Sequence, residues 1–500
     1  MSTETPETGD VLPESADAAD FFASEVAGAT AEPMAMEEAA ALAARPASDA
    51  ASPGAVLVRG NLWRAIWDMS WPLMITTITS SIVGMADVQV AGYLGAPAQA
   101  AVGVAEQLIF IFCVFVMAIA VGTTAIVSRA AGENNPQEAA YMTGQSIALS
   151  VTGGLVLTIV GYFTAHFLLP LFTTTKTVQE IGTDYLSVYA LYLIPFSLIA
   201  ISNAAFRAIG DARTPLYVVM TELVITIAGD YLTVLGNWPV PGLGVRGIAG
   251  SAIVGAFVGA LIALYRIKHS PLAPALKHVY PIAIKSMSRL LKLGIPAAFH
   301  RWGWAASTLV VFFILKALAD PTAALASWTI GMRVEALLFM PLMALSLAVG
   351  NIVGQNLGAK EIDRARKAGW NVSNIGVGMM LLLGTALYLC ADPIARVMTH
   401  DPNTIAYTAD YLRINAFCEP LLAVNMILSG ALQGAGDTRF PMWVSLFTNW
   451  VVRLPIAYVL AEVWGWGPSG VWWAMTGSVC LSAIIIAVRF QSGRWIKITV

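Results

Sequence analysis

The stretches FRAIGDARTP (residues 206–215) and LQGAGDTRFP (residues 432–441) repeat the pattern Gly-Asp-x-Arg-x-Pro at an offset of 226 residues. Glycine suits the left-handed end of a helix, and proline suits a helix start, where no backbone N–H donor is needed. Each stretch therefore predicts the end of one helix followed at once by the beginning of the next.

The repeat extends well beyond these two stretches. At the same offset Gly132 matches Gly358 and Ala139 matches Ala365, and the tripeptide DYL recurs at 184–186 and 410–412. The chain is therefore predicted to consist of two duplicated halves. A unit with an even number of membrane spans returns to its starting side, so two such halves are related by an axis along the membrane normal.

The composition places the repeat in a membrane. Of 500 residues 57% are hydrophobic and 12% are charged, whereas soluble domains carry roughly 25% charged residues. Apolar runs of about 20 residues, the length that crosses a bilayer, recur along the chain. We predict spans one to six at 66–93, 104–130, 139–168, 183–209, 215–236 and 245–267, and spans seven to twelve at 290–317, 325–356, 366–391, 405–434, 441–463 and 468–490.

The basic residues predict the orientation. With these spans, 20 of the 28 Lys and Arg residues fall on one side and 5 on the other, and Arg301, Arg333 and Arg453 lie within spans. The positive-inside rule then places both termini in the cytoplasm. We expect an integral, multi-pass protein of the bacterial inner (plasma) membrane.

The same frame divides the chain into domains. Residues 1–58 are acidic and poor in aromatic side chains, which predicts a disordered cytoplasmic tail rather than a signal peptide. An N-lobe is expected at 59–268, a cytoplasmic linker at 269–289, a C-lobe at 290–490 and a short cytoplasmic tail at 491–500. The four cysteines and five histidines show no metal-ligand spacing, so we expect no metal and no other cofactor.

Further motifs resemble those of one transporter family. They are MADVQVAGYLG (85–95), VSRAAGENN (127–135), GMRVEALLFMP (331–341) and VGQNLGAKE (353–361), together with the two stretches quoted first. Over residues 62–490 the chain resembles multidrug and toxic compound extrusion (MATE) transporters. The resemblance implies an all-α membrane protein with twelve transmembrane helices in two six-helix lobes related by a pseudo-twofold axis along the membrane normal. It also implies a transporter rather than an enzyme.

Ionisable residues within the spans are the candidate coupling sites. A carboxylate at the membrane centre costs at least about 2.5–3.5 kcal/mol, so it must pair, face water or take up a proton. In the family an acidic residue in span one and another in span five form a proton-responsive cluster, and the matching positions are Asp87 and Asp230. In the second lobe Glu419 in span ten and Glu335 in span eight resemble acidic positions that relatives use. Structural ion pairs, Glu419 with Arg453 and Glu335 with Arg333, are the alternative.

A smaller set of residues is expected to line the substrate cavity. Thr226 and Glu222 precede Asp230 by four and eight residues and share its helix face. Trp304 occupies the place of a carboxylate that sodium-coupled relatives use in span seven, which favours a proton over sodium as the coupling ion. Arg453 in span eleven reaches the depth of Glu419.

The resulting functional prediction is secondary antiport. A monomer in the lipid bilayer would export amphipathic, cationic small organic molecules by alternating access, with no nucleic-acid partner. The alternative is a flippase of the same superfamily that moves a lipid-linked glycan. A membrane enzyme and a channel are disfavoured, because no large interfacial loop carries clustered carboxylates and no filter repeat is present. A further hypothesis is that Asp211 and Asp437 gate the inner side by pairing with Arg207, Arg213 or Arg439.

Overall fold

The computed structural model describes residues 57–172, 175–235 and 242–498, and the regular secondary structure in these ranges is helical. Eleven helices are long and apolar enough to cross a membrane, and a bent helix pair supplies a twelfth span, as predicted. Spans one to six are Leu62–Tyr93, Ala96–Gly132, Pro136–Phe172, Lys176–Ala208, Arg213–Leu235 and Val245–Lys268. Spans seven to twelve are Ile284–Ala317, Pro321–Gly358, Ile362–Leu389, Pro402–Ala416 with Glu419–Gly434, Arg439–Val463 and Pro468–Gln491.

Several helices begin earlier than the hydrophobic pattern predicts. Span two begins at Ala96 rather than at 104, because Gly95 (φ 107°) turns the chain and Pro97 stands in the first helical turn. Span four begins at Lys176 rather than at 183 and contains a 3-10 turn at Ala190–Tyr192. A short helix at Ala391–Met398, which the sequence did not predict, follows span nine.

Span ten is broken rather than continuous. Its two helices meet at an angle of 56° between Ala416 and Glu419. Pro420 is in the first turn of the second helix, where it has no N–H to donate to the preceding turn and its ring excludes the straight path of the backbone. Glu419 therefore lies at the break, whereas the predicted span placed it within one regular helix.

The two halves adopt matching backbone conformations. Gly210 and Gly436 have φ angles of 93° and 94°, and Asn134 and Lys360 have φ angles of 56° and 63°. Both pairs are 226 residues apart, which is the offset of the sequence repeat. Two lobes of six spans each, with the pseudo-symmetry expected of the duplication, form the membrane domain.

The Gly-Asp-x-Arg-x-Pro stretches cap helices. Asp211 accepts hydrogen bonds of 3.0 Å from the backbone N–H groups of Arg213 and Thr214. Asp437 is only 4% exposed and forms an ion pair of 2.8 Å with Arg489. Within the described residues no ion pair joins either aspartate to the arginines of the gate hypothesis, Arg207, Arg213 and Arg439. This structure therefore does not support that hypothesis.

The lobes are in close contact near the terminal face, which we define as the side where span one begins and span twelve ends. A Cβ atom on Gly122 would lie 2.6 Å from the carbonyl oxygen of Leu290, and a Cβ atom on Gly294 would lie 2.5 Å from that of Ala118. Spans two and seven thus approach at a distance that only glycine permits.

Both ends of the described chain also pack at the terminal face. The predicted tail 1–58 lies outside the described residues except for Leu57 and Val58. Leu57 is 2% exposed, and its carbonyl oxygen accepts hydrogen bonds from Asn356 (3.1 Å) and Arg364 (3.2 Å). The end of the predicted tail at Leu57 therefore belongs to the folded part of the chain. At the other end Arg129 donates a hydrogen bond of 2.7 Å to the carbonyl oxygen of Ile498.

Candidate functional site

The structure brings Asp87 and Asp230 together in the N-lobe. Asp87 is six residues before the end of span one at Tyr93, and Asp230 is five residues before the end of span five at Leu235, so both lie at the same depth. Asp87 is 2% exposed and Asp230 is fully buried. Their carboxyl groups are close enough for a proton on one to form a hydrogen bond to the other.

The hydrogen bonding of this pair is incomplete. Ser251 in span six donates a hydrogen bond to Oδ1 of Asp230. Within the described part of the chain Oδ1 of Asp87 and Oδ2 of Asp230 have no hydrogen-bond partner, and no basic side chain pairs with either group. Two buried negative charges at this distance repel each other and lack hydration, so the pair is most stable when the two groups share a proton.

Thr226 and Glu222 turn into the N-lobe. Thr226 is 1% exposed, and its side chain packs against Gly255 of span six rather than bonding to Asp230. Glu222 accepts a hydrogen bond of 3.1 Å from the hydroxyl of Tyr192 in span four. Both side chains therefore contact other helices of the N-lobe, since Glu222 contacts span four and Thr226 contacts span six. Their place in the substrate cavity stays a prediction.

Three side chains near the pair were not identified from the sequence. Ser251 belongs to a span without other polar signals, and Glu106 lies close to the predicted start of span two, where it reads as a polar boundary residue. Tyr185 is fully buried within electrostatic range of Asp87, Asp230 and Glu106. Its spacing from Tyr189 and Tyr192 on one helix is a signal that could have been noticed.

The C-lobe holds a second group of buried ionisable side chains. Glu335, Glu419 and Arg453 are 8%, 1% and 6% exposed. Glu335 lies within electrostatic range of both other residues, but the ion pairs of the described residues include none of the three. Nε of Arg453 instead donates a hydrogen bond of 2.8 Å to the hydroxyl of Ser478. The proposed Glu419–Arg453 ion pair is therefore not formed in this conformation.

Arg333 and Trp304 are not buried with this group. Arg333 is exposed while Glu335 is buried, so they do not form the alternative ion pair. Trp304 lies on span seven and is 41% exposed. Its place in the substrate cavity stays a prediction.

A cleft of about 610 Å³ lies elsewhere, at the terminal face between the start of span three and the segment that follows span six. It is lined by Glu138, Tyr141, His278 and several prolines, and by none of the predicted site residues. Across the described residues no three His, Cys, Asp or Glu side chains converge in the way that metal ligands do.

Comparisons with known proteins agree with this arrangement. The family model MatE matches residues 72–232 and 296–459, one segment in each lobe. The probable multidrug resistance protein NorM of Thermotoga maritima is 28% identical over 433 residues, which cover 86% of this chain and 92% of that protein. The uncharacterized transporter YisQ of Bacillus subtilis is 25% identical, over 87% of this chain and 95% of its own length.

Solved structures share the fold. A MOP superfamily transporter from Pyrococcus furiosus superposes with a TM-score of 0.81 at 20% identity, covering 89% of this chain and 99% of its own. The MATE transporter VcmN of Vibrio cholerae in its bent form gives 0.80 at 21% identity, covering 86% and 96%. Because the family model matches a segment in each lobe and more than half of the chain in total, the chain belongs to the MatE family of multidrug efflux transporters.

Proposed function

We propose that this transporter exports amphipathic, cationic organic compounds in exchange for protons by alternating access. The observation that supports the proposal is the Asp87–Asp230 pair, two buried carboxyl groups that face each other without a basic partner among the described residues. Such a pair changes its charge when it gains or loses a proton. The packing of spans one and five around it then depends on that charge.

The energy available to such an exchange is sufficient for concentrative export. One charge moving inward gains about 2.3 kcal/mol per 100 mV, and one pH unit adds about 1.4 kcal/mol. Together they supply about 3.7 kcal/mol per proton. Export of a monovalent organic cation costs the electrical part again, so one-for-one exchange leaves about 1.4 kcal/mol, which corresponds to a concentration ratio of about tenfold. Each further proton per substrate molecule would add a factor of several hundred. A proton taken up at the Asp87–Asp230 pair from outside and released inside would couple this energy to the substrate.

The setting that we propose is the inner membrane of a bacterium, with the terminal face in the cytoplasm and one chain as the working unit. The excess of basic residues on that side supports the orientation. Bacterial relatives described as probable multidrug resistance proteins support a small organic substrate. In this proposal the protein is a transporter and not an enzyme, because it moves its substrate across the membrane without changing it chemically.

The test is export of a fluorescent organic cation from proteoliposomes under an imposed pH gradient, with a sodium gradient as the alternative driving force. We expect the wild-type protein to follow the pH gradient and Asp87→Asn to transport no faster than without a gradient. Asp363→Asn makes the same chemical change at an exposed site and should match the wild type. Export driven only by sodium, or equal rates for Asp87→Asn and the wild type, would refute the proton role.

A further inference from the structure

Glu106 is a third acidic residue near the Asp87–Asp230 pair. It is ten residues after the start of span two at Ala96, or about 15 Å along the helix axis. Both Asp87 and Asp230 lie within electrostatic range of its carboxyl group. Its Oε1 atom is buried and has no hydrogen-bond partner among the described residues. An unpaired acid is costly at this depth, so its environment must allow it to hold a proton.

A stack of tyrosines in span four lines the same region. The rings of Tyr185 and Tyr189 have centroids 5.0 Å apart, and those of Tyr189 and Tyr192 are 5.1 Å apart. The hydroxyl of Tyr185 is buried, has no described hydrogen-bond partner and lies within electrostatic range of Asp87, Glu106 and Asp230. A phenol can both donate and accept a hydrogen bond, so this hydroxyl is free to bond to a carboxyl group or to a bridging water molecule.

The stack leads from the carboxyl groups to Glu222. Tyr192, at the far end of the tyrosine stack, donates a hydrogen bond of 3.1 Å from its hydroxyl to Oε1 of Glu222. Glu222 precedes Asp230 by eight residues on span five, so it lies about 12 Å nearer the terminal face. Glu222 is also within electrostatic range of Asp87.

The ionisable groups that face this region come from four spans. Asp87 belongs to span one, Glu106 and Cys113 to span two, the three tyrosines to span four, and Asp230 and Glu222 to span five. None of these groups is basic. Among the described residues, successive acids without a counter-ion therefore extend from the outer third of the N-lobe toward the terminal face.

We propose that Glu106 and Glu222 continue the proton path of the N-lobe from the Asp87–Asp230 pair toward the terminal face, with Glu106 as the intermediate carrier. In each step one carboxyl O–H bond breaks and one forms on the next carboxylate, directly or through a tyrosine hydroxyl or a water molecule, so the total charge of the path is unchanged. This inference rests on the proton exchange proposed above. It adds that the proton crosses the interior of the N-lobe and not the interface between the lobes.

The test separates proton movement from substrate movement. Proteoliposomes carrying Glu106→Gln are assayed for export driven by a pH gradient and, without any gradient, for exchange of labelled against unlabelled substrate. A missing carrier should reduce gradient-driven export at least tenfold and leave exchange within twofold of the wild type. Glu106→Asp should restore driven export with a shifted pH profile, and Glu180→Gln, which changes an exposed glutamate, should behave as the wild type.

The outcomes distinguish the two proposals. If the wild type shows no export driven by the pH gradient, the proposed function itself fails. If the wild type does and Glu106→Gln equals it, only the path through Glu106 fails. Loss of both export and exchange in a variant that still elutes as a folded monodisperse protein would also overturn the path, because it would indicate a role in packing or substrate binding. If Glu106→Gln does not fold, Glu222→Gln should show the same split, and an unaffected Glu222→Gln would refute the path.

Discussion

Replacement of Gly122 by alanine is expected to shift the balance between the conformations of the transporter. The added Cβ atom would lie 2.6 Å from the carbonyl oxygen of Leu290, whereas ordinary contact begins at about 3.4 Å. Spans two and seven would have to separate by about 0.8 Å at this point. Backbone atoms cannot rotate away as a side chain does, so the contact between the lobes near the terminal face is directly weakened.

The size of the shift follows from the cost of overpacking. Inserting a methyl group into a close contact typically costs about 1–3 kcal/mol, and only the conformation with the lobes joined at the terminal face bears that cost. The ratio of the conformation with the lobes joined at the terminal face to the conformation with them apart should therefore fall by about 5–150-fold. Alanine also stabilises a helix by up to about 1 kcal/mol relative to glycine, but it does so in both conformations and cancels from the ratio.

The assay is electron paramagnetic resonance of a spin-label pair in lipid nanodiscs. Labels at the exposed residues Gln137 and Asp363 would report the distance between the lobes at the terminal face. Gly122→Ala should move the distribution to longer distances. Gly103→Ala is the matched control, since it is in the same span and a Cβ atom there meets nothing within 4 Å. Identical distance distributions for the two variants would contradict this prediction, because the short distance between Gly122 and Leu290 would then not control whether the lobes join at the terminal face.

Two further predictions concern residues outside the coupling site. Arg489→Gln should lower the melting temperature of the purified protein, because it leaves the buried carboxylate of Asp437 without its ion-pair partner. Breaking a buried ion pair costs about 3–5 kcal/mol. A melting temperature equal to that of Arg494→Gln, which changes an exposed arginine, would refute this prediction. Hydrogen bonds from Thr404 lower the pKa of Asp401 below 3.8, so Asp401 should stabilise the start of the helix Pro402–Ala416 above pH 3.8. The backbone amides there should lose protection in hydrogen exchange as the pH falls through the lowered pKa, and Asp401→Asn should abolish this pH dependence.

The failure to predict Glu106 shows how a boundary error propagates to a site. Hydropathy placed the start of span two at 104, so Glu106 read as a residue of the polar edge. The helix instead begins at Ala96, because a positive φ at Gly95 and the proline after it start the helix earlier than the apolar run does. Glu106 is thereby moved almost three turns into the helix, where it meets acids from spans one and five.

The C-lobe shows a different error, which concerns the partner of Arg453. Arg453 and Glu419 are both buried, but they do not form an ion pair. Span ten is bent next to Glu419, and the guanidinium of Arg453 donates its hydrogen bond to Ser478 of span twelve. Neither the angle of the bend nor the direction of the guanidinium is encoded in the spacing of residues along a single helix.

The sequence by itself determined the number of spans and the duplication. Those properties depend on the length of apolar runs and on a constant offset, both of which can be read along the chain. Only the tertiary structure decided which acids meet, that Ser251 bonds to Asp230, and where the lobes touch through glycine. These facts depend on how helices rotate and cross relative to one another, and such contacts join residues far apart in the chain that no local pattern relates.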